Sequence, residues 1–94
     1  MKLTETCRYY VRGRKGLNEP NTSVREYRSD DGRLFLLERK WNTDEDENKS
    51  FFLYEIEVRD QFYPEQRFCM LLKGLYTSKG WKTGVKWMKE VLNG

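Results

Sequence analysis

Histidine is absent from the chain of 94 residues, and this absence excludes several kinds of catalytic chemistry. Imidazole is the commonest general base near neutral pH, and the Ser-His and Cys-His nucleophile pairs depend on it. The two cysteines, Cys7 and Cys69, are too few for a structural zinc site. No glycine-rich phosphate-binding motif occurs. The sequence therefore favours a binding protein without a metal or cofactor over an enzyme.

Basic and aromatic residues interleave near the N-terminus. Residues 6–12 alternate, which predicts a strand with Cys7, Tyr9 and Val11 on one face. Arginine and tyrosine on the other face are typical of sheets that stack bases and pair with phosphates. The alternative is that the tyrosines fill a covered face and the arginines pair with glutamates across strands. The candidate nucleic-acid-binding residues here are Arg8, Tyr10, Arg12, Arg14 and Lys15.

Residues 78–94 predict an amphipathic helix. At about 100° per residue, Trp81, Val85, Met88 and Leu92 form one apolar stripe, and lysines lie on the opposite side. A row of lysines can bind a phosphate backbone or an acidic partner, although most such faces are simply solvated. The lysines are Lys79, Lys82, Lys86 and Lys89.

An acidic run precedes the fourth predicted strand. Two of its members, Asp44 and Asp46, have the spacing of calcium-loop ligands, but Lys49 occupies the sixth position, where such loops need glycine. We interpret the run as a solvated loop that repels nucleic acid or imitates it. Its residues are Asp44, Glu45, Asp46 and Glu47.

The remaining pattern predicts strands first and one helix last. Segment 64–76 is ambiguous, because its short apolar run fits a helix as well as a strand over 67–73, and Gly74 favours the strand. We expect a single α+β domain over 1–94, with an antiparallel sheet of four to five strands and the C-terminal helix packed on one face. The other predicted strands are 6–12, 23–28, 33–41 and 50–59, with a hairpin turn at Asp31-Gly32.

The net charge of +3 conceals an uneven distribution. Residues 1–40 carry ten basic and six acidic groups, 41–60 carry two and seven, and 61–94 carry six and two. Such asymmetry favours an oriented encounter with a charged partner. No apolar run suggests a signal peptide or a membrane span, so we expect a cytoplasmic location, with Cys7 and Cys69 as reduced thiols in the core.

Lys73 to Trp81 resembles the strand-to-helix junction of the positive-cofactor-four type transcriptional coactivators. Proteins of that family are four-stranded sheets with a C-terminal helix, and they bind single-stranded DNA as dimers. The resemblance covers under a fifth of the chain, together with the strand order. The family's leucine after the glycine strand and its Pro-Glu helix start are missing, so no individual binding residue is transferred.

These patterns predict a small non-enzymatic protein that binds nucleic acid, with single strands favoured. The alternative is a small protein-binding inhibitor or adaptor of the kind that phages and mobile elements encode. It would act through the acidic run and through exposed aromatics such as Tyr10, Tyr63 and Trp87. A metal-dependent hydrolase built on Asp31 and Glu38 is a distant third. An exposed edge strand would also support a homodimer.

Overall fold

In the described part of the chain, five strands in chain order form one antiparallel sheet, and one α-helix follows them. The computed structural model describes residues 1–42, 49–77 and 79–94. This architecture confirms the predicted α+β fold. The elements are β1 (Leu3–Val11), β2 (Asn21–Ser29), β3 (Leu34–Trp41), β4 (Lys49–Val58), β5 (Arg67–Thr77) and α1 (Trp81–Asn93).

The predicted hairpin between β2 and β3 closes at Gly32, whose φ of 87° is a conformation that favours glycine. The Ser29 amide donates a hydrogen bond to the Arg33 carbonyl at 2.9 Å, and the Ser29 hydroxyl contacts Asp31. The turn fixes the pairing of the two strands, from Asn21 opposite Trp41 to Arg28 opposite Leu34. It therefore decides which side chains of both strands share a face.

The main core lies between the sheet and α1. Phe35, Leu37, Phe51 and Leu53 of the two central strands are fully buried beneath Met88 of the helix. Burying a large apolar side chain contributes about 1.5–3 kcal/mol, so these residues hold the helix on the sheet. The predicted apolar stripe of α1 is thus its buried face.

Gly84 lets α1 lie close to β4. A Cβ atom built on Gly84 would stand only 2.4 Å from the ring of Phe51. Glycine costs about 1 kcal/mol of helix propensity relative to alanine. This cost is offset by the close approach, which also seats Trp81 edge-on against Phe51 at 5.7 Å between ring centroids.

The opposite face of the sheet has its own smaller cluster. Val24, Leu36 and Ile56 are buried there, although none of the described elements packs over them. Arg67 of β5 reaches Glu26 of β2 at 2.5 Å, so two long side chains lie along the face across β3 and β4. Their aliphatic stems shield the cluster, while the carboxylate of Glu26 keeps a charged partner.

The prediction that Cys7 and Cys69 belong to the core is wrong. Both thiols are free and exposed. They lie on β1 and β5, the two edge strands, where a side chain has a neighbouring strand on one side only. The apolar pattern of a strand identifies its face but not its place in the sheet.

The helix begins three residues later than predicted, at Trp81. Gly80 is its N-cap and makes no side-chain capping bond, and the predicted cap, Ser78, lies outside the described residues. Lys79 therefore precedes the helix and does not belong to its lysine row. None of the described helical residues form a helix that is long and apolar enough to cross a membrane.

Replacing Gly84 with alanine tests the close approach. We expect Gly84→Ala to lower the free energy of unfolding by about 1–3 kcal/mol, because the added methyl group must displace the Phe51 ring. Gly16→Ala is the matched control, since a Cβ there meets nothing within 4 Å. Urea unfolding followed by tryptophan fluorescence measures both. A stabilised Gly84→Ala variant would show that helix propensity outweighs the contact.

Replacing Arg67 tests the charged pair on the opposite face. Arg67→Met keeps most of the stem but leaves the carboxylate of Glu26, which is 7% exposed, without its partner. We expect a loss of about 1–3 kcal/mol in urea unfolding, partly recovered by adding Glu26→Gln. In the control, Arg14→Met removes an exposed pair with Glu19 and should cost at most about 0.5 kcal/mol. Equal losses in the two single variants would contradict the structural role.

Candidate nucleic-acid interface

A β-bulge in β1 decides the position of the first predicted binding residues. The pairing with β2 shifts between Glu5 and Cys7, after which Arg8 lies opposite Arg25 and Tyr10 opposite Ser23. Side chains directly opposite each other share a face. Arg8 and Tyr10 therefore lie on the side of the sheet that carries α1, as the predicted basic and aromatic face of this strand.

The single helix is too narrow to cover this side. An α-helix with its side chains is about 10–12 Å wide, whereas the outer strands of a flat five-stranded sheet are about 19 Å apart. The helix packs mainly over β3. A groove of about 690 Å³ remains beside the helix, where Arg25 of β2 is the sheet residue that lines it. The other lining residues are Trp81, Lys82, Val85, Lys86 and Lys89.

A second recess extends the groove toward β1. It has a volume of about 400 Å³ and shares Arg25 and Trp81 with the first. Arg8 and Tyr10 belong to its lining. We call the two recesses together the cationic groove, because five cationic side chains line it: Arg8, Arg25, Lys82, Lys86 and Lys89.

Trp81 organises the end of the cationic groove by stacking with two guanidinium groups. The Cζ atom of Arg25 lies 4.2 Å from the Trp81 ring centroid, and that of Arg39 lies 5.0 Å from it. Arg39 also lies 4.6 Å from the Trp41 ring, which in turn packs against Tyr10 at 5.8 Å between centroids. Flat cations and aromatic rings thus alternate along this end of the sheet.

Arg39 carries a charge that the surrounding described residues do not neutralise. Its Nε is buried and, within the described part of the chain, has no hydrogen-bond partner. Burial, followed by the like charge of Arg25, lowers the pKa of Arg39, yet a guanidinium stays protonated in proteins. Among the described residues, the neighbouring Arg25 pairs with one carboxylate, that of Glu5 at 3.9 Å. The sheet surface beside Trp81, next to the groove, therefore favours an anion.

The other arginine of the groove is already paired. Arg8 donates two hydrogen bonds to Glu5, at 2.7 and 3.0 Å, and lowers the pKa of that carboxyl. Glu26 pairs with Arg67 and Glu38 with Lys40, so neither glutamate neutralises a β1 arginine. Cross-strand pairing on this side of the sheet holds for Arg25 with Glu5, at 3.9 Å, and for Arg33 with Glu55, at 2.8 Å.

The structure does not bring all of the predicted basic residues together. Arg12 is exposed beyond the end of β1, and Arg14 is paired with Glu19 at 2.6 Å in the following loop. Lys15 begins a short 3-10 turn, and its side chain is outside the described part of the structure. Lys79 is exposed ahead of α1 and does not line the groove. Arg12, Arg14 and Lys79 therefore do not belong to the described groove.

The sequence pattern does not identify Trp81 as a groove residue, or Arg39 and Trp41 as residues that stack beside the groove. The hairpin turn at Gly32 could have revealed the position of Arg39, because it fixes which residues of β2 and β3 lie opposite each other, such as Ser23 opposite Arg39. That register puts Arg25 and Arg39 on the same face as the core aromatics. Trp81 was assigned to the apolar stripe alone, although its ring also stacks with both arginines.

The residues of the alternative protein-binding site fall into three groups. The acidic run, Asp44, Glu45, Asp46 and Glu47, lies outside the described residues. Tyr10 and Tyr63 are both 54% exposed. Trp87 was expected to be exposed, but it packs against the main core.

Within residues 1–42, 49–77 and 79–94, no group of three or more acidic or cysteine side chains is placed to hold a metal ion.

Comparisons with known proteins found no matching family model, and no significantly similar curated protein or solved structure. A proposal for its function therefore has to be argued from the geometry of the chain itself.

The unneutralised charge of Arg39 predicts a response to anions. We expect sulfate to raise the unfolding temperature above that in chloride at equal ionic strength, and this difference to shrink in Arg39→Met. Sulfate also stabilises folded proteins in general, and this effect acts equally on the parent protein and on the variant. The difference between their sulfate responses therefore measures the effect of Arg39 alone. In chloride, Arg39→Met should be as stable as the parent or more stable by up to about 1 kcal/mol, because a buried repulsion is removed. Equal sulfate responses would exclude an anion site here.

Proposed function

We propose that this chain is a non-enzymatic nucleic-acid-binding protein and that the cationic groove holds a single strand. The observation that carries the proposal is the convergence of five cationic side chains and two aromatic rings, Tyr10 and Trp81, on one continuous groove. Grooves of this composition bind single strands by tracking the backbone with positive charge and stacking bases on rings.

The helix side of the groove suits the phosphate backbone. Lys82, Lys86 and Lys89 are exposed and follow one another at helical spacing. At a rise of about 1.5 Å per residue they form a row about 10 Å long. Flexible ammonium groups on such a row bind phosphates without reading sequence.

The sheet side suits bases. Tyr10 is 54% exposed, and Trp41 packs against it, so a ring surface is open beside Arg8. Unpaired bases can enter a concave groove and stack there, whereas a duplex shows only base edges and needs a protruding element to reach them. This difference favours single-stranded over double-stranded nucleic acid.

The finer parts of the prediction are part of the same proposal. The chain works in the cytoplasm, in keeping with the free thiols of Cys7 and Cys69. The acidic run at 44–47 contributes no affinity for nucleic acid, since its charge has the wrong sign. If the chain were instead a protein-binding inhibitor acting through that run, neutralising the run would abolish binding of its target.

Titration of labelled single-stranded and duplex DNA and RNA at several salt concentrations tests the proposal. The triple variant Lys82→Ala, Lys86→Ala and Lys89→Ala should bind single strands at least tenfold more weakly at low salt. Its slope of log affinity against log salt should fall by about 2, because each lost phosphate contact contributes about 0.7.

The matched control removes three lysines that do not line the groove, by Lys2→Ala, Lys40→Ala and Lys73→Ala. It should retain most of the affinity and of the salt slope. Tyr10→Leu should weaken binding of a base-bearing strand by about 1–3 kcal/mol with an unchanged salt slope. Absence of binding at low salt, or equal losses in the two triple variants, would overturn the proposal.

A further inference from the structure

The outer edge of β5 is open and unusually apolar. β5 is the last strand of the order β1-β2-β3-β4-β5, and only Arg67 and Lys73 among its residues are charged. Between these two residues lie five successive apolar residues, all of them exposed. The exposed fraction is 46% for Phe68, 59% for Met70, 56% for Leu71 and 37% for Leu72. An exposed apolar edge strand is a template for pairing with another strand.

The opposite edge is better protected than β5. Both edge strands have a register shift and two charged residues. In β1 the two charges, Glu5 and Arg8, form an ion pair beside the bulge within the strand, whereas in β5 the two charges stand on either side of the apolar run. Charged side chains within an edge strand are a usual means of avoiding pairing. The contrast favours β5 over β1 as an interface.

The register of β5 fits a second copy of the same strand. The pairing with β4 shifts at Leu72 and divides β5 into two regular stretches of five residues, Arg67 to Leu71 and Lys73 to Thr77. The first stretch has four successive apolar residues after Arg67, and its midpoint is Cys69. An edge strand is self-complementary in the antiparallel sense, because a two-fold axis through its midpoint puts each donor opposite an equivalent acceptor.

We propose that β5 pairs with β5 of a second copy, antiparallel and about a two-fold axis at Cys69, to form a continuous ten-stranded sheet. Phe68 then lies opposite Met70 of the other copy, on the side of the helix, and the two make a sulfur–aromatic contact. Arg67 lies opposite Leu71 of the other copy, on the open side. The pairing buries apolar residues of both faces of the edge.

The interface is small, which sets its expected strength. A regular stretch of five residues is only about 17 Å long, so the contact is at the low end of interface sizes. We therefore expect a concentration-dependent dimer. The cationic groove lies along β1 and β2, at the far side of the sheet, so the proposal does not depend on nucleic-acid binding.

Sedimentation analysis over a range of concentrations tests the dimer. The wild-type chain of 11.4 kDa should reach twice that mass as concentration rises. Met70→Lys should weaken association at least tenfold, because two lysines would be buried against apolar side chains. Leu17→Lys is the control, since Leu17 is 60% exposed but lies in the loop after β1. Circular dichroism checks that both variants keep the fold.

A cysteine cross-link tests the register. Opposite residues of an antiparallel pair have Cα atoms about 4.5–5.5 Å apart, within disulfide range. In a Cys7→Ser background, oxidation with diamide should join two chains through Cys69, whereas Cys69→Ser should remain unlinked. A chain that stays monomeric at every concentration, a dimer unaffected by Met70→Lys, or a cross-link through Cys7 instead would each overturn the proposal.

Discussion

The close approach of α1 to the Phe51 ring at Gly84 is the contact on which the rest of the structure depends. It fixes the height of the helix above the sheet, and the buried Met88 fixes its rotation. With both fixed, the apolar stripe faces the core and Lys82, Lys86 and Lys89 face the space above β2. Gly84 thereby lets the amphipathic helix form one wall of the groove.

One helix cannot cover a sheet of five strands, and the uncovered apolar surface is treated differently in each region of the sheet. Over the central strands the helix excludes water. On the reverse face the paired side chains of Arg67 and Glu26 lie across a small apolar cluster. The edge strands remain exposed, β1 with the Glu5–Arg8 ion pair within the strand and β5 with an apolar run between its two charged residues. The two proposed interaction surfaces are the places where cover is missing.

The order of the elements and the type of most of them could be predicted from the sequence, because alternation and helical periodicity are local properties. The sequence of segment 64–76 is ambiguous between helix and strand, and the structure has a strand there, Arg67–Thr77. The Asp-Gly turn and the apolar helix stripe are confirmed for the same reason. What could not be predicted depends on neighbours in space. The exposure of Cys7 and Cys69 follows from their strands lying at the edges, and the partial burial of Trp87 follows from the way the helix packs on the sheet. The nucleic-acid-binding function stays a proposal.

The groove residues show why a site is harder to predict than a fold. Within residues 1–42, 49–77 and 79–94, Arg39 has no hydrogen-bond partner for its buried Nε, and Arg25 beside it increases the cost of the charge. Stacking with Trp41 and Trp81 offsets part of that cost, but it leaves the positive charge intact. Stability alone would favour an apolar side chain at this position. A charge that the described residues leave without a partner, held between aromatic rings, fits the proposed anion-binding function better than the needs of folding.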